Sequence, residues 1–180
     1  MILASSSPQR KAILEQLGVE FRVEVPEVEE LVGGDPGEVV LENALRKARA
    51  RARPGERVLG ADTAVVVDAR IFGKPRDEGE AGAFLRALSG STHEVMTGIA
   101  LSQDGAERTH VAVTRVRFRP LEQADLDWYL ATGEWRDRAG GYAIQGRGAA
   151  LVEAIEGDYW NVVGLPVAAL LALVPDLLRS

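Results

Sequence analysis

The apolar positions change their spacing several times near the start of the chain. Residues 1–5 form a short, mostly apolar run, which predicts a buried strand. Helical spacing follows, with Ser7 as the expected N-cap, Pro8 in the first turn and Gly18 just past the last turn. Residues 20–26 then alternate polar and apolar side chains, as in a strand with one exposed face. The chain is therefore predicted to begin with a strand, a helix and a second strand.

A second helix and a β-hairpin are predicted next. The loop 33–36 (Gly-Gly-Asp-Pro) has the composition of a helix start. The apolar stripe of this helix consists of Val40, Leu41, Ala44, Leu45 and Ala48. Residues 57–67 are typical of a strand, and 68–70 (Asp-Ala-Arg) predict a tight reversal into another strand that ends at 73–75 (Gly-Lys-Pro).

Strands and helices continue to alternate in the second half. Asp77 and Glu80 are spaced as a capping box for a helix that ends at Gly90. The remaining predictions are two long strands within 92–118, a short helix over 122–131, an irregular glycine-rich segment over 133–148 and an apolar helix over 166–178. Together the elements predict an α/β fold, a mixed twisted β-sheet flanked by helices, in a single domain spanning residues 1–180.

Composition and charge narrow the classes of function. With 46% apolar residues among 180, the chain can form one substantial core. Its formal charge of −6 argues against a broad nucleic-acid footprint, and the absence of cysteine excludes disulfides and a cysteine nucleophile. Because the first residues lack a signal-peptide pattern and no apolar stretch nears the roughly 20 residues of a membrane span, we expect a cytoplasmic protein without nucleic-acid or membrane partners.

Three serines and an arginine lie between the first strand and the first helix. A helix N-terminus offers free backbone N–H groups and a positive dipole end, which favour an anion. Ser5, Ser7 and Arg10 add side-chain donors of the kind that phosphate requires. The alternative is that Ser7 only caps the helix and Arg10 lies on the surface.

Acidic side chains follow the second strand and lie within the predicted hairpin. Glu27, Glu29 and Glu30 with Asp62 would supply oxygen ligands to Mg²⁺ or a similar cation. The counter-charges of a metal-bound polyphosphate would then be Arg10, Lys47 and Lys74. An ordinary solvated acidic surface is the alternative for Glu27 and Glu29.

The glycine-rich segment 137–148 is a candidate for ligand contact. Its glycines allow backbone to approach a ligand closely, and the Gln145 amide offers a donor and an acceptor to a base edge. A long irregular connection without function is the alternative. The chain has only two histidines, His93 and His110, which argues against a two-histidine metal site or a Ser-His-Asp triad. His93 is expected to be a structural hydrogen-bonding residue.

Several short blocks together resemble the Maf family of nucleoside triphosphate pyrophosphatases. The blocks are Leu-Ala-Ser-x-Ser-Pro-x-Arg at 3–10, Glu-Glu at 29–30, Gly-Ala-Asp-Thr at 60–63, Gly-Lys-Pro at 73–75, Leu-Ser-Gly at 88–90, Ala-Gly-Gly-Tyr at 139–142, Ile-Gln-Gly at 144–146 and Val-Val-Gly-Leu-Pro at 162–166. The resemblance covers nearly the whole chain. It implies an architecture like that of inosine triphosphatases, with a cleft between two lobes, and a homodimer.

The resemblance also implies a chemistry, which is metal-dependent hydrolysis between the α- and β-phosphates of a nucleoside triphosphate. Asp62 corresponds to the proton acceptor, and Glu30 with Asp62 would hold Mg²⁺, Mn²⁺ or Co²⁺. The catalytic positions are Asp62, Lys47, Lys74 and Glu30. The substrate-binding positions are Ser5, Ser7, Gln9, Arg10, Thr63 and Gln145.

The substrate expectation depends on three positions. Asp62-Thr63 and 144–146 resemble the branch that hydrolyses dTTP and UTP, whereas Gln9 departs from the arginine usual there and leaves modified pyrimidine nucleotides open. One alternative is a nucleotide-binding regulator of septum formation and cell division with little turnover. A weaker alternative is nucleic-acid binding through the basic stretch 46–57.

Overall fold

The computed structural model describes residues 1–179, which form seven strands and six α-helices. The strands are β1 (Ile2–Ala4), β2 (Arg22–Val23), β3 (Val58–Val67), β4 (Arg70–Phe72), β5 (Thr92–Gln103), β6 (Ala106–Phe118) and β7 (Val152–Glu156). The helices are α1 (Pro8–Gln16), α2 (Pro36–Arg49), α3 (Glu78–Leu88), α4 (Gln123–Leu130), α5 (Tyr159–Val163) and α6 (Val167–Leu173). Short 3₁₀ segments cover Ala139–Gly141, Arg147–Leu151 and Leu177–Arg179.

The strands form a mixed β-sheet in the order β2-β1-β3-β5-β6-β7, with β4 paired to β3. Strand β1 runs parallel to both β2 and β3, whereas the β3–β4 and β6–β7 pairs are antiparallel. The parallel pairs use α-helical crossovers, as parallel strands require. The predicted α/β class and mixed sheet are confirmed.

The chain divides into two compact units. The first contains residues 1–63, 97–112 and the segment that begins at Gly164, and the second contains 64–96 and 113–163. Strands β3, β5 and β6 each contribute one part to each unit. The single domain expected over residues 1–180 stays a prediction.

In the first unit, helix α2 lies with its backbone directly against the sheet. A Cβ atom placed on Gly60 of β3 would be 2.1 Å from the carbonyl oxygen of Ala44, and one on Gly98 of β5 would be 2.4 Å from that of Val40. Any side chain at these two glycines would overlap the helix backbone. The two glycines therefore set how closely α2 approaches β3 and β5.

Both N-terminal helices of the first unit start where the sequence predicts. The Ser7 hydroxyl accepts a hydrogen bond from the backbone N–H of Arg10, and the Asp35 carboxylate accepts one from the N–H of Glu38. Gly18 follows α1 in the left-handed region, with φ of 69°. The caps fix where α1 and α2 begin and therefore which side chains each helix directs towards the sheet.

The core of the second unit is rich in aromatic side chains. His93 is 1% exposed, and its Nε2 atom lies 2.8 Å from the hydroxyl oxygen of Tyr142. Its ring makes edge contacts with Phe118 and Tyr142 at centroid distances of 5.0 and 5.5 Å. Burial lowers the pKa of His93 to about 4. The structural role expected for His93 is confirmed.

Two predicted elements differ from the structure, and two further elements were not predicted. Strand β2 is shorter than the predicted 20–26, since Val25 is half exposed and Pro26 lacks the N–H that would continue the ladder. The helix predicted over 166–178 ends at Leu173, because Pro175 cannot donate within a helix. Strand β7 and helix α5 were not predicted.

The capping box at the start of α3 is also only half formed. The Asp77 carboxylate accepts from the N–H of Glu80, at 2.8 Å, as expected. The Glu80 carboxylate instead accepts from the N–H of Arg76, at 2.7 Å, and pairs with its guanidinium. The Arg76 guanidinium therefore attracts the Glu80 carboxylate, which binds the N–H of Arg76 in place of that of Asp77.

Replacing Gly60 by alanine should destabilise the protein strongly, by about 3 kcal/mol or more, because the methyl group would overlap the backbone of α2. Gly33→Ala is the matched control, since a Cβ atom there has open space and an ordinary φ. Urea unfolding of both variants measures the difference. Equal stability of the two variants would show that α2 does not depend on this contact.

The low pKa of His93 predicts a pH-dependent stability. The folded-state pKa of about 4 lies below the ordinary value of 6.5, so the unfolded chain takes up the proton first as the pH falls. The stabilisation is complete above pH 6.5 and is lost towards pH 4, by about 3 kcal/mol. In unfolding experiments, the stability of wild type relative to His93→Gln should decrease by this amount between pH 8 and 4. Parallel pH curves would contradict the assignment.

Candidate active site

Strand β3 presents Asp62 and Thr63 to opposite faces of the sheet. Side chains alternate along a strand, and Gly60 faces α2, so Asp62 two residues further on faces α2 as well. Strand β1 pairs with β3 only as far as Ala4 opposite Gly60. Asp62 and Thr63 therefore lie just beyond the carboxyl end of β1, the edge at which parallel α/β sheets commonly bind ligands.

Helix α2 holds both oxygens of the Asp62 carboxylate. Lys47 Nζ lies 2.7 Å from Oδ1, and Asn43 Nδ2 donates to Oδ2 at 3.0 Å. Asn43 and Lys47 are one helical turn apart and so project from the same side of α2. The carboxylate is 16% exposed and keeps a lone pair on each oxygen for another partner.

Lys47 joins two carboxylates. Besides Asp62, its ammonium group lies 2.8 Å from Oε1 of Glu30 and 3.4 Å from the carbonyl oxygen of Ala61. Its side chain is 10% exposed, whereas that of Glu30 is 50% exposed. All three ammonium hydrogens are thereby taken by protein oxygens. The role expected for Lys47 at the phosphates stays a prediction.

The acidic segment contributes one carboxylate to this cluster. Glu30 reaches Lys47, whereas the side chains of Glu27 and Glu29 are exposed and join no ion pair among residues 1–179. The carbonyl oxygen of Glu29 accepts from Arg46. Within the same residues, no three His, Asp or Glu side chains converge as a metal site.

Arg10 lies on the other side of β3, among neutral acceptors. Its Nε donates to the carbonyl oxygen of Gly164 at 2.9 Å, Nη1 to the hydroxyl of Ser5 at 3.0 Å, and Nη2 to the hydroxyl of Thr63 at 2.9 Å. The residue is 8% exposed. Thr63 is itself within 3.0 Å of the Thr97 hydroxyl. The guanidinium is thus oriented by three separate segments of the first unit.

The Arg10 charge has no carboxylate in direct contact within the described chain. Burial lowers the pKa of Arg10, and the negative charges of Asp62 and Glu30 oppose this shift from a distance. Arginine nevertheless stays protonated in proteins. A buried cation without a contacting counter-ion is costly unless an anion binds beside it. This environment favours an anionic ligand.

The serines at the start of α1 form hydrogen bonds next to Arg10. The Ser5 hydroxyl accepts from the N–H of Ser7, at 3.2 Å, as well as from Arg10. The Ser7 hydroxyl donates to Oε1 of Gln9 at 3.0 Å. Ser7 caps the helix, as predicted, and its role at the phosphates stays a prediction, whereas the surface position considered for Arg10 is wrong.

Lys74 and Gln145 belong to the second unit. Lys74 is exposed, two residues after the end of β4, and Gln145 is exposed in the segment between two 3₁₀ turns. Neither side chain makes a hydrogen bond or ion pair with residues 1–179. The other predicted site residues are Ser5, Ser7, Gln9, Arg10, Glu30, Lys47, Asp62 and Thr63, all of which lie in the first unit.

Asn43 was missed by the sequence analysis. It is 2% exposed and lies on the buried side of α2, one turn before Lys47. The sequence did contain a signal: Asn43 is four residues before Lys47 and therefore on the same side of the helix, next to Ala44 of the apolar stripe. A buried asparagine needs hydrogen-bond partners, and such a position merits attention for that reason.

The chain is an α/β protein with a buried arginine and a doubly held carboxylate beyond the carboxyl end of a parallel strand pair. The chain belongs to the Maf family, because the family model described as "Maf-like protein" matches residues 1–177.

Curated relatives match along most of their length. A dTTP/UTP pyrophosphatase of Symbiobacterium thermophilum is 52% identical over 93% of this chain and 88% of its own. Proteins of the same name from Bacillus cytotoxicus and Anaeromyxobacter dehalogenans are 50% and 47% identical, over 94% and 97% of this chain and 91% and 92% of theirs. The solved structure of the Staphylococcus aureus Ham1 protein is 15% identical, with a TM-score of 0.47 over 65% of this chain and 70% of that one. Within residues 1–179, no helix has the length and apolarity to cross a membrane.

Replacing Arg10 by lysine should weaken binding of inorganic pyrophosphate about tenfold or more. Lysine keeps the positive charge but lacks the planar guanidinium, so it cannot donate to Ser5, Thr63 and an anion at the same time. Isothermal titration measures the affinity. The control is Lys11→Gln, which removes a charge from an exposed residue of the same helix. Equal affinities of Arg10→Lys and wild type would contradict an anion site at Arg10.

Proposed function

We propose that this chain is a nucleoside triphosphate pyrophosphatase that hydrolyses dTTP and UTP to the monophosphate and pyrophosphate. The observation that carries the proposal is that adjacent residues of β3 serve two functions: Asp62 is a carboxylate held by α2, and Thr63 accepts a hydrogen bond from the buried guanidinium of Arg10. The names of the relatives support the substrate class. Modified pyrimidine nucleotides remain within the proposed range because of Gln9.

Arg10 has donors left for the substrate. A guanidinium carries five N–H groups, of which three are used by Ser5, Thr63 and Gly164. The remaining hydrogens, one on each Nη atom, are suited to phosphate oxygens. The N-terminus of α1 lies beside them and adds its dipole. These groups would bind and orient the polyphosphate.

Asp62 is proposed as the general base. A water molecule would donate its proton to a free lone pair of the carboxylate while its oxygen attacks phosphorus, and the bond to the bridging oxygen would break with loss of pyrophosphate. Lys47 and Asn43 hold the two carboxylate oxygens and so fix the direction of the remaining lone pairs. The base is therefore preorganised by α2.

A divalent cation, Mg²⁺, Mn²⁺ or Co²⁺, is part of the proposal. Glu30 and Asp62 would hold it, because carboxylate oxygens are the ligands that such cations prefer and both side chains lie beside Lys47; substrate phosphates would complete the site. The cation would neutralise negative charge on the reacting phosphate. Lys74 is proposed to meet the phosphates, and Gln145 the edge of the base.

The family resemblance also supports a homodimer as part of the proposal, and the location expected from the sequence, the cytoplasm, is proposed with it. A second candidate function is nucleotide binding with little turnover, in a regulator of septum formation. It is favoured by one observation, that the three hydrogens of Lys47 are already taken by protein oxygens. Nucleic-acid binding is disfavoured, since Arg49, Arg53 and Arg57 of the basic stretch pair with carboxylates.

The test of the proposal is a comparison of kcat/KM for dTTP, UTP, CTP, GTP, ATP and 7-methyl-GTP, each with Mg²⁺, Mn²⁺ or Co²⁺. Preference for dTTP and UTP with release of pyrophosphate is expected. Tight nucleotide binding without turnover under every condition would contradict the enzyme and favour the regulator.

Asp62→Asn should reduce kcat about 100- to 10,000-fold, because the amide cannot accept the proton from water. It also places an amide N–H₂ against either Lys47 or Asn43, both of which are donors. The matched control is Asp68→Asn in the exposed turn between β3 and β4, where φ is 47° and asparagine is tolerated. Unchanged kcat for Asp62→Asn would remove Asp62 as the base.

A further inference from the structure

We infer that Asn43 is a positioning residue. Its amide fixes the orientation of the Asp62 carboxylate and the position of the loop that carries Glu30. The inference rests on the proposed function, since it assigns Asn43 a part in the same hydrolysis. Asn43 is 2% exposed, and its amide is fully engaged. It therefore links two predicted catalytic groups that come from separate segments of the chain.

Three hydrogen bonds define the position of the Asn43 amide. Oδ1 accepts from the N–H of Leu31 at 2.7 Å, and Nδ2 donates to the carbonyl oxygen of Leu31 at 3.0 Å. The second hydrogen on Nδ2 goes to Oδ2 of Asp62 at 3.0 Å. Both donors of the amide are used, and its oxygen has a partner.

The orientation of the amide is determined by these partners. In the opposite orientation the amide oxygen would face the carbonyl oxygen of Leu31 and the carboxylate of Asp62, which are both acceptors. The N–H₂ group would face the N–H of Leu31, which is a donor. One orientation alone satisfies all three contacts, so the donor to Asp62 is fixed.

The loop around Glu30 is held mainly by polar contacts with α2, among them the ion pair between Glu30 and Lys47. Leu31 is 37% exposed and Val32 is 89% exposed, so apolar burial contributes little to its placement. The paired bonds from Asn43 to Leu31, together with that from Arg46 to the carbonyl oxygen of Glu29, anchor the loop to α2. Because Glu30 is adjacent to Leu31, the Asn43 amide limits where the Glu30 carboxylate can lie.

Asn43 and Lys47 contact different oxygens of Asp62 and differ in charge. Lys47 brings a positive charge to Oδ1, whereas Asn43 brings a neutral donor to Oδ2. A neutral donor orients the carboxylate while adding no second charge to compete for its lone pairs. Substitution of Asn43 should therefore affect the direction of Asp62 more than the binding of an anion at Arg10.

The first test is the kinetics of Asn43→Ala with dTTP and Mg²⁺. We expect kcat to fall about 10- to 100-fold, the range typical when a hydrogen-bond partner behind a catalytic or metal-binding group is removed. KM and pyrophosphate affinity should change less than threefold, because Arg10 is untouched. The control is Glu38→Ala, which removes an exposed carboxylate of the same helix that forms no ion pair among residues 1–179 and should leave kcat unchanged. Wild-type kcat in Asn43→Ala would overturn the inference.

Two further variants exclude a purely structural role. Asn43→Asp keeps the shape but replaces the N–H₂ donor to Asp62 by a second carboxylate oxygen, so its kcat should fall at least as far as that of Asn43→Ala. In the Asp62→Asn background, Asn43→Ala should lower the residual kcat by less than threefold. Wild-type kcat in Asn43→Asp, or a full 10- to 100-fold loss in that background, would overturn the inference. Absence of turnover in wild type would instead refute the proposed function itself.

Discussion

The contact of α2 with the sheet at Gly60 and Gly98 is the constraint on which the site depends. Because neither glycine has a side chain, the backbone of α2 lies against β3 and β5, at a distance where any Cβ would overlap it. At this separation a short amide, Asn43, reaches the carboxylate of Asp62 on the same face of β3. A wider helix–sheet spacing would leave the amide too far away and the carboxylate directed by Lys47 alone. Packing of small residues thus sets the geometry of the candidate base.

Charge is distributed unevenly across the two faces of β3. On the α2 face, Glu30 and Asp62 share the ammonium of Lys47, which leaves a net negative cluster. On the other face, Arg10 contacts only neutral oxygens. The two clusters are adjacent because Asp62 and Thr63 are neighbours in sequence. A ligand that carries phosphate and cation together would complement both, which is the electrostatic basis of the proposed reaction.

The sequence predicted most of the local structure and the identity of the chemical groups, but not their pairing. Caps at Ser7 and Asp35 were predictable because they depend on residues three apart. Strand β7 was not, because its exposed face and pairing with β6 depend on distant residues. The carboxylate Asp62 was identified from its motif, whereas its partner Asn43 comes from another segment. Side-chain pairing of this kind follows from how α2 packs on the sheet, which periodicity does not encode.

The products that the wild-type protein forms from dTTP and Mg²⁺ can be followed by ³¹P NMR. We expect dTMP and pyrophosphate in equal amounts, with no orthophosphate, because the bond between the α- and β-phosphates is the one broken. Release of orthophosphate and dTDP would show that the reaction is at the γ-phosphate. That result, or an unchanged dTTP spectrum, would contradict the assignment of this site.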